Sequence, residues 1–368
     1  MTDTISYLKI ANYRSIDTLE LHDIKPFSVF AGSNGSGKSN FFDALDFVNW
    51  VIRFGADEAL KKYGGFENIR CWRRRDIETQ TFEFAIDFSK NGAVFNHYQL
   101  KIYQLDNTPL LEEKIQWVDD EGKMRLLYRE AGKSIQAGKN TLDLPVNFSI
   151  LLLLSGTTPI GQFLKNIRLY RIDPHLARMP VKNTDTSKLD YNGRNLAGVL
   201  HRLEKDEYIY EAILEWMNLF VPCLEKVYTD FDNYDGSIRL VFKEDGFEKP
   251  FPAHLVSDGT IFMLGILVAL FDRSSPFSLT LIEMPENGLH PKANIELIED
   301  FHQETTFFRP IWVTTHHDSL IRGLKNHELW LVDKKQGQTK MKQVQVVDKL
   351  TLPLDQAWLC NMLGGGLP

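Results

Sequence analysis

Cysteine is scarce: Cys71, Cys223 and Cys360 are the only three in 368 residues, far apart and without a C-x-x-C pair. That excludes a disulfide framework and a zinc ribbon, and a reducing cytoplasm is the expected setting. An excess of basic charge is also missing. Lysine plus arginine minus the acidic residues is 42 − 49 = −7, so any nucleic-acid contact must be a local groove in an acidic protein. Long apolar runs are absent too. Phe148 to Leu154 contains Ser149 and falls far short of the roughly 20 residues that cross a bilayer. The opening Met-Thr-Asp-Thr-Ile-Ser has no basic region before an apolar stretch, so neither secretion nor a membrane partner is expected. There is no internal repeat, no Pro- or Ser-rich linker and no heptad array.

What remains is a globular composition, with 43% hydrophobic residues, 25% charged residues and 24 phenylalanines. At roughly 150 residues per domain, the length allows two domains or one large discontinuous one. Alternation and apolar runs predict three short strands over 5–10, 18–24 and 27–31. The last enters a glycine-rich turn. From Lys38 to Phe54, Phe41, Phe42, Leu45, Phe47, Val48, Val51 and Ile52 recur at helical spacing. Alternating segments around 81–88, 94–103, 112–118 and 124–128 predict an antiparallel meander, with turns at Asn91-Gly92, Asn107-Thr108-Pro109 and Glu121-Gly122. Helical patterns follow between Asn192 and Pro222. Strands over 237–242, 279–282 and 311–315 and helices over 259–271 and 292–303 then point to a parallel sheet covered on both faces.

Gly32-Ser33-Asn34-Gly35-Ser36-Gly37-Lys38-Ser39 fits the phosphate-loop pattern G-x-x-x-x-G-K-[ST] without a mismatch. The glycines let backbone N–H groups converge on phosphate oxygens, and the helix behind adds its positive N-terminal end. Lys38 reaches the β and γ phosphates, and the Ser39 hydroxyl is placed for Mg²⁺. A chance glycine-rich turn is the competing reading, and the strand before and helix after it argue against that.

Further motifs follow in a fixed order. Leu255-Val256-Ser257-Asp258-Gly259-Thr260 opens a helix. Leu281-Ile282-Glu283 ends a strand and runs on through Met284-Pro285-Glu286-Asn287-Gly288-Leu289-His290-Pro291. Ile311 to Thr315 is another apolar strand, ending at His316-His317. This order resembles the ABC-type ATPase heads of the RecF, SMC and OLD-nuclease group. It resembles still more the stand-alone AAA-family ATPases that carry L-S-D-G-T and E-E-P-E-N-G-L-H-P. Asn12-Tyr13-Arg14-Ser15 is similar to their N-terminal F-R-S element, and the tail from Leu354 to Gly365 looks similar as well. The likeness covers roughly residues 1–70 and 250–320.

The resemblance implies an α/β fold: a P-loop NTPase head of ABC type with a mainly parallel core sheet, an antiparallel β subdomain and a helical insertion. Long coiled-coil arms are excluded, because the roughly 220 residues between Ser39 and Ser257 hold no sustained heptads. It further implies ATP and Mg²⁺ as cofactors. Arg14, residues 32–39 and Asn40 would bind the nucleotide. In such heads ATP lies between two subunits, so Ser257 and Gly259 would touch the γ phosphate held by a second copy. Taken alone, Ser257-Asp258-Gly259 reads as a helix N-cap. Glu283, with Ser39, would hold Mg²⁺ or its water. His316, rather than His317, corresponds to the histidine that senses the γ phosphate. The glutamine loop is open among Gln80, Gln99 and Gln162.

Met284 departs from the pattern. The family has glutamate there as the base for the attacking water, and a thioether can neither orient nor deprotonate it. Glu286 could replace it, or cap the helix starting near Pro291, or bind across a dimer. Hydrolysis could instead be very slow, leaving an ATP-gated clamp, or the residue could be a change made to trap ATP.

Arg70-Cys71-Trp72-Arg73-Arg74-Arg75 offers arginines for phosphate and an indole for stacking, so DNA or RNA contact is an option beside a plain solvated face. Glu112-Glu113 and Asp119-Asp120-Glu121 are expected at strand ends and turns, with no sign of burial. The expected organisation is an N-terminal lobe with the phosphate loop (1–90), an antiparallel β insertion (91–145), a return to the core (146–184), a helical insertion (185–225) and a C-terminal lobe (226–368). The expected function is ATP-dependent dimerisation controlling a partner effector, such as a nuclease in antiphage defence. A non-hydrolysing nucleotide scaffold is the alternative. A transporter ATPase ranks behind both, for lack of L-S-G-G-Q.

Overall fold

A computed structural model describes residues 4–71, 81–90, 93–105, 108–119, 121–154, 156–272, 275–345 and 352–363. Trp72, Arg73, Arg74, Arg75, Gln80, Asp120, Gly364 and Gly365 therefore lie outside the described residues, as do the turn residues Asn91, Gly92 and Asn107. The chain divides into two units. One comprises Met1–Arg168, Ser275–Leu281 and Thr305–Pro368, the other Leu169–Ser274 and Ile282–Glu304.

In the first unit, strands β1 (Thr4–Tyr13) and β2 (Ile16–Ile24) form a tight hairpin in which Tyr13 opposes Ile16. Alternation turns Leu19 and Leu21 inward, and Ile16 and Ile24 are buried at the two ends of the strand. The sheet continues through β4 (Thr81–Lys90), β5 (Ala93–Leu105), β6 (Thr108–Val118), β7 (Met124–Arg129), β8 (Ile135–Ala137) and β9 (Asn140–Leu142). Its order is β2-β1-β4-β5-β6-β7-β8-β9, antiparallel throughout. Residues 93–142 thus extend the sheet that the N-terminal hairpin begins.

Glu113 corrects an expectation. It lies on the inward face of β6, fully buried with Arg129 of β7, whose Nη2 donates to Oε2 at 2.7 Å. The Tyr98 hydroxyl donates to the other carboxylate oxygen at 2.7 Å, Ser149 Oγ to the same oxygen at 2.5 Å, and the Ile150 N–H to Oε2 at 3.0 Å. Arg129 also donates to the carbonyls of Pro145 and Phe148. The contacts of Pro145, Phe148, Ser149 and Ile150 fix the segment 145–150 against the sheet. Asp119 keeps its expected place in a turn, accepting from the N–H groups of Glu121 and Lys123.

A second sheet has the order β10-β15-β16-β3-β17-β18, formed by β10 (Ile167–Tyr170), β15 (Leu279–Glu283), β16 (Ile311–Thr315), β3 (Phe27–Ala31), β17 (Leu329–Lys335) and β18 (Gln338–Gln343). β3 runs parallel to both β16 and β17, while β18 returns antiparallel to β17. All five residues of β3 and all five of β16 are buried, as a sheet covered on both faces requires. Phe30 of β3 meets Phe41 of the helix Lys38–Phe54 at 4.9 Å between ring centroids and Trp312 of β16 at 5.8 Å. These rings anchor the helix that leaves the phosphate loop, each pair adding about 0.5–1.5 kcal/mol beyond burial.

The second unit contains an antiparallel sheet of order β11-β13-β12, from β11 (Val181–Lys182), β12 (Leu224–Phe231) and β13 (Ser237–Glu244), with β14 (Phe251–Pro252) pairing with β13. Its helices include Leu196–Leu203, Glu207–Phe220 and Asp258–Phe271. The last is apolar on every side from Ile261 to Leu270, so it forms this unit's core. Among the described residues no helix is long and apolar enough to cross a membrane.

Candidate functional site

The loop after β3 curls because its glycines have no alternative. A Cβ on Gly37, whose φ is +104°, would stand 1.9 Å from Thr339 Oγ1, and one on Gly32 would stand 2.1 Å from the Val332 carbonyl oxygen. No side-chain hydrogen bond caps the helix Lys38–Phe54 at Gly37 and no acid occupies its first turn, so its positive end carries no compensating carboxylate there. Lys38 is buried, and its ammonium donates to the carbonyls of Gly32 at 2.7 Å and Ser33 at 2.9 Å. Ser36 Oγ is buried without a hydrogen-bond partner among the described residues. Ser39 and Asn34 are exposed. This cradle suits a polyphosphate: a glycine-rich turn brings a buried cation to the positive end of a helix.

Arg14 braces the loop's helix rather than pointing away from it. Its φ of +47° is left-handed, a strain of about 1–3 kcal/mol for a residue with a side chain. Its N–H is held by the Ile69 carbonyl at 2.7 Å. The guanidinium pairs with Asp43, approaches Asn40 Oδ1 at 3.5 Å and lies over the rings of Tyr13 and Tyr63. Asn40 in turn donates to Ser15 Oγ at 2.7 Å. Thr339 of β18 completes the brace, since its hydroxyl donates to the Ser36 carbonyl and contacts Ser15 Oγ at 2.7 Å.

β16 brings the histidine to the same loop. Gly32 N–H donates to the Thr315 carbonyl, the residue before His316. His316 and Ser33, Asn34, His317, Asp318, Trp358 and Leu359 line a cavity of about 570 Å³. His316 is half-buried, with Nδ1 shielded from solvent and unbonded among the described residues, while His317 is exposed and turns its ring toward Asp318. Of the open glutamine candidates, Gln99 lies in β5 and Gln162 donates to the Gly156 carbonyl.

The remaining candidates belong to the second unit. Glu283 ends β15 with a side chain only 5% exposed, and Arg171 Nη2 donates to its Oε1 at 2.8 Å. A carboxylate is a hard oxygen donor of the kind Mg²⁺ takes, and here one of its oxygens is occupied by the guanidinium. Met284 follows in the left-handed region at φ +48°, a strained conformation for a residue with a side chain. Glu286 is buried in the turn that closes with Asn287 N–H on the Met284 carbonyl. The helix Pro291–Glu304 is capped by His290, whose ring nitrogen accepts from Lys292 N–H.

Ser257 caps the helix Asp258–Phe271, accepting from the Thr260 N–H at 3.2 Å, and is exposed. Gly259 has its own structural demand, because a Cβ there would lie 2.4 Å from the Gly288 carbonyl oxygen. The start of this helix is thereby packed directly on the turn that follows Glu283.

A family model described as "AAA domain, putative AbiEii toxin, Type IV TA system" matches residues 27–145 and 148–322. The chain belongs to this family. It carries an AAA domain of the P-loop ATPase type, with phosphate loop and strand-end acid inside the matched region. Over 95% of this chain and 100% of the matched one, the fold is similar to the crystal structure of an SMC head bound to the C-winged helix domain of ScpA, with a TM-score of 0.55 at 15% identity. An SMC head domain from Thermotoga maritima aligns with a TM-score of 0.46 at 13% identity, over 93% of this chain and 100% of that one. The first similarity shows the fold of an ABC-type head, and no coiled coil occurs among the described residues. An uncharacterized protein of Methanocaldococcus jannaschii is 34% identical over 80 residues, or 21% of this chain, which spans only 24% of that relative's length.

Three residues at these family motifs escaped sequence reasoning. Thr339 packs on Gly37 from 302 positions away, and Arg171 and Arg178 hold Glu283 and Asp258 across 112 and 80 positions. The only local trace was Tyr-Arg-Ile-Asp-Pro-His-Leu-Ala-Arg over 170–178, where two arginines flank an Asp-Pro helix start.

Proposed function

We propose that this chain is an ATP-gated head that pairs with a second copy on ATP, turns the nucleotide over slowly and delivers its output through a partner effector. The loop from Gly32 to Ser39, with its lysine already folded into an uncapped anion cradle, carries the reading. In it, residues 32–40 and Arg14 hold or brace the nucleotide, and Ser39 and Glu283 keep the Mg²⁺ roles that the motifs give them. His316 reports the γ phosphate to the segment that follows it.

Pairing through Ser257 is supported by exposure. Ser257 stands at an open helix start, and Leu255, two residues before it, is 66% exposed. Met179 is 48% exposed, next to the Arg178 that contacts Asp258. Exposed apolar side chains around a polar anion site suit a second copy of the chain. A separate effector is supported by the family's link to toxin–antitoxin systems and by the SMC head's capture of a ScpA domain. We take that effector to be of nuclease type, acting in antiphage defence.

Met284 favours a second reading, a nucleotide-binding scaffold that does not hydrolyse. Steady-state phosphate release separates the two. General-base help contributes roughly 10²–10⁴-fold, so Met284→Glu should raise a slow rate by about 10²-fold or more. If the unaltered protein is already brisk and Glu286→Gln silences it, the base lies at Glu286. Brisk turnover surviving both changes contradicts this account of the site.

A further inference from the structure

We propose that Arg171 is a positioning residue that holds the Glu283 carboxylate until a divalent cation takes its place. The inference rests on the reading of Glu283 as a metal ligand. Its basis is one contact and its surroundings. Glu283 is almost wholly buried, and a buried carboxylate needs a compensating charge. Arg171 supplies that charge through Nη2, 2.8 Å from Oε1, while its own side chain remains 35% exposed.

A dication bound to the same carboxylate would meet the guanidinium's charge at close range, in surroundings that screen it less than water does. Both cannot hold the oxygen with full strength. The side chain is 35% exposed although its Nε is buried, so the outer end of the guanidinium can turn from Oε1 toward solvent while the backbone beneath it stays fixed. Arg171 N–H is fixed on the Tyr191 carbonyl at 2.6 Å, and Ile172 packs against Gly265, where a Cβ would stand 2.9 Å from Ile172 Cγ2.

The same segment continues to the helix start. Asp173 caps the turn Pro174–Ala177, and Arg178 Nη2 pairs with Asp258 beside Ser257. An eight-residue strap, Arg171 to Arg178, therefore ties the strand-end acid to the helix that presents Ser257. Cation arrival at Glu283 loosens the Arg171–Glu283 contact and leaves that of Arg178 with Asp258 in place.

The test titrates Mn²⁺ into the 368-residue chain loaded with ATP, reading free Mn²⁺ by electron paramagnetic resonance. Arg171→Gln removes the competing charge and should tighten Mn²⁺ about tenfold, whereas Arg171→Lys keeps it and should stay within roughly threefold of the parent. ATP affinity in EDTA reads the phosphate loop alone and should be the same in all three. Equal or weaker Mn²⁺ binding in Arg171→Gln, with ATP binding in EDTA intact, overturns the proposal and leaves the nucleotide reading standing. Failure of the parent to bind ATP in EDTA overturns the nucleotide reading instead, and this inference with it. The unaltered protein offers a check that needs no substitution: adding Mg²⁺ to the ATP-loaded form should move the Arg171 Nε–H resonance toward that of a solvated arginine. A resonance that stays put also overturns the proposal.

Discussion

Lys38→Ala is expected to weaken ATP binding by roughly 30- to 1,000-fold, the equivalent of about 2–4 kcal/mol for a buried, charge-assisted phosphate contact. The ammonium needs little ordering before the ligand arrives. It is buried and already held at 2.7 and 2.9 Å by the carbonyls of Gly32 and Ser33, inside the cradle that the phosphates would enter. Exchanging those neutral carbonyls for phosphate oxygens gains charge attraction at small entropic cost. Isothermal titration of ATP into the variant and the parent measures the difference, with circular dichroism confirming an unchanged fold. Equal affinities contradict the assignment of residues 32–39.

Arg129→Met should destabilise the first unit by about 3–5 kcal/mol, because it strands Glu113 as an uncompensated buried charge. Both side chains have no solvent exposure, so water cannot replace the lost partner. The carbonyls of Pro145 and Phe148 lose their donor as well, which frees the segment that the network pins. At roughly 2–4 °C per kcal/mol for a unit of this size, the melting temperature should fall by about 6–20 °C. Replacing both partners, Glu113→Leu with Arg129→Met, should recover part of the loss, since two apolar side chains leave no buried charge. A single variant that melts with the parent would show that the pair adds little.

The network also illustrates where sequence reasoning stopped. Glu112-Glu113 reads as an exposed pair because alternation cannot say which of two adjacent acids faces inward until the strand's register is known. Once β6 pairs with β7 and Glu113 opposes Arg129, burial is inevitable. The phosphate loop was legible for the opposite reason, since consecutive residues supply both its glycines and its donors. Strands β15 and β16 were legible as short, mostly apolar runs, and their ends named Glu283 and His316. The Arg171–Glu283 and Gly37–Thr339 contacts were not legible, because each joins residues more than 100 positions apart with no covarying pattern in a single sequence. Met284 lay between the two cases: its chemistry was plain from the sequence, and its left-handed backbone was not.

Light scattering of the 368-residue chain, with and without ATP and Mg²⁺, tests the central claim most directly. Without nucleotide the mass should be that of one 42.5 kDa chain. With ATP and Mg²⁺ it should double and remain doubled while hydrolysis is slow, and Ser257→Arg should bind ATP yet stay at the single-chain mass. A parent that saturates with ATP and remains a single chain would contradict nucleotide-gated pairing, and a Ser257→Arg variant that pairs like the parent would reduce Ser257 to the helix cap it forms with Thr260.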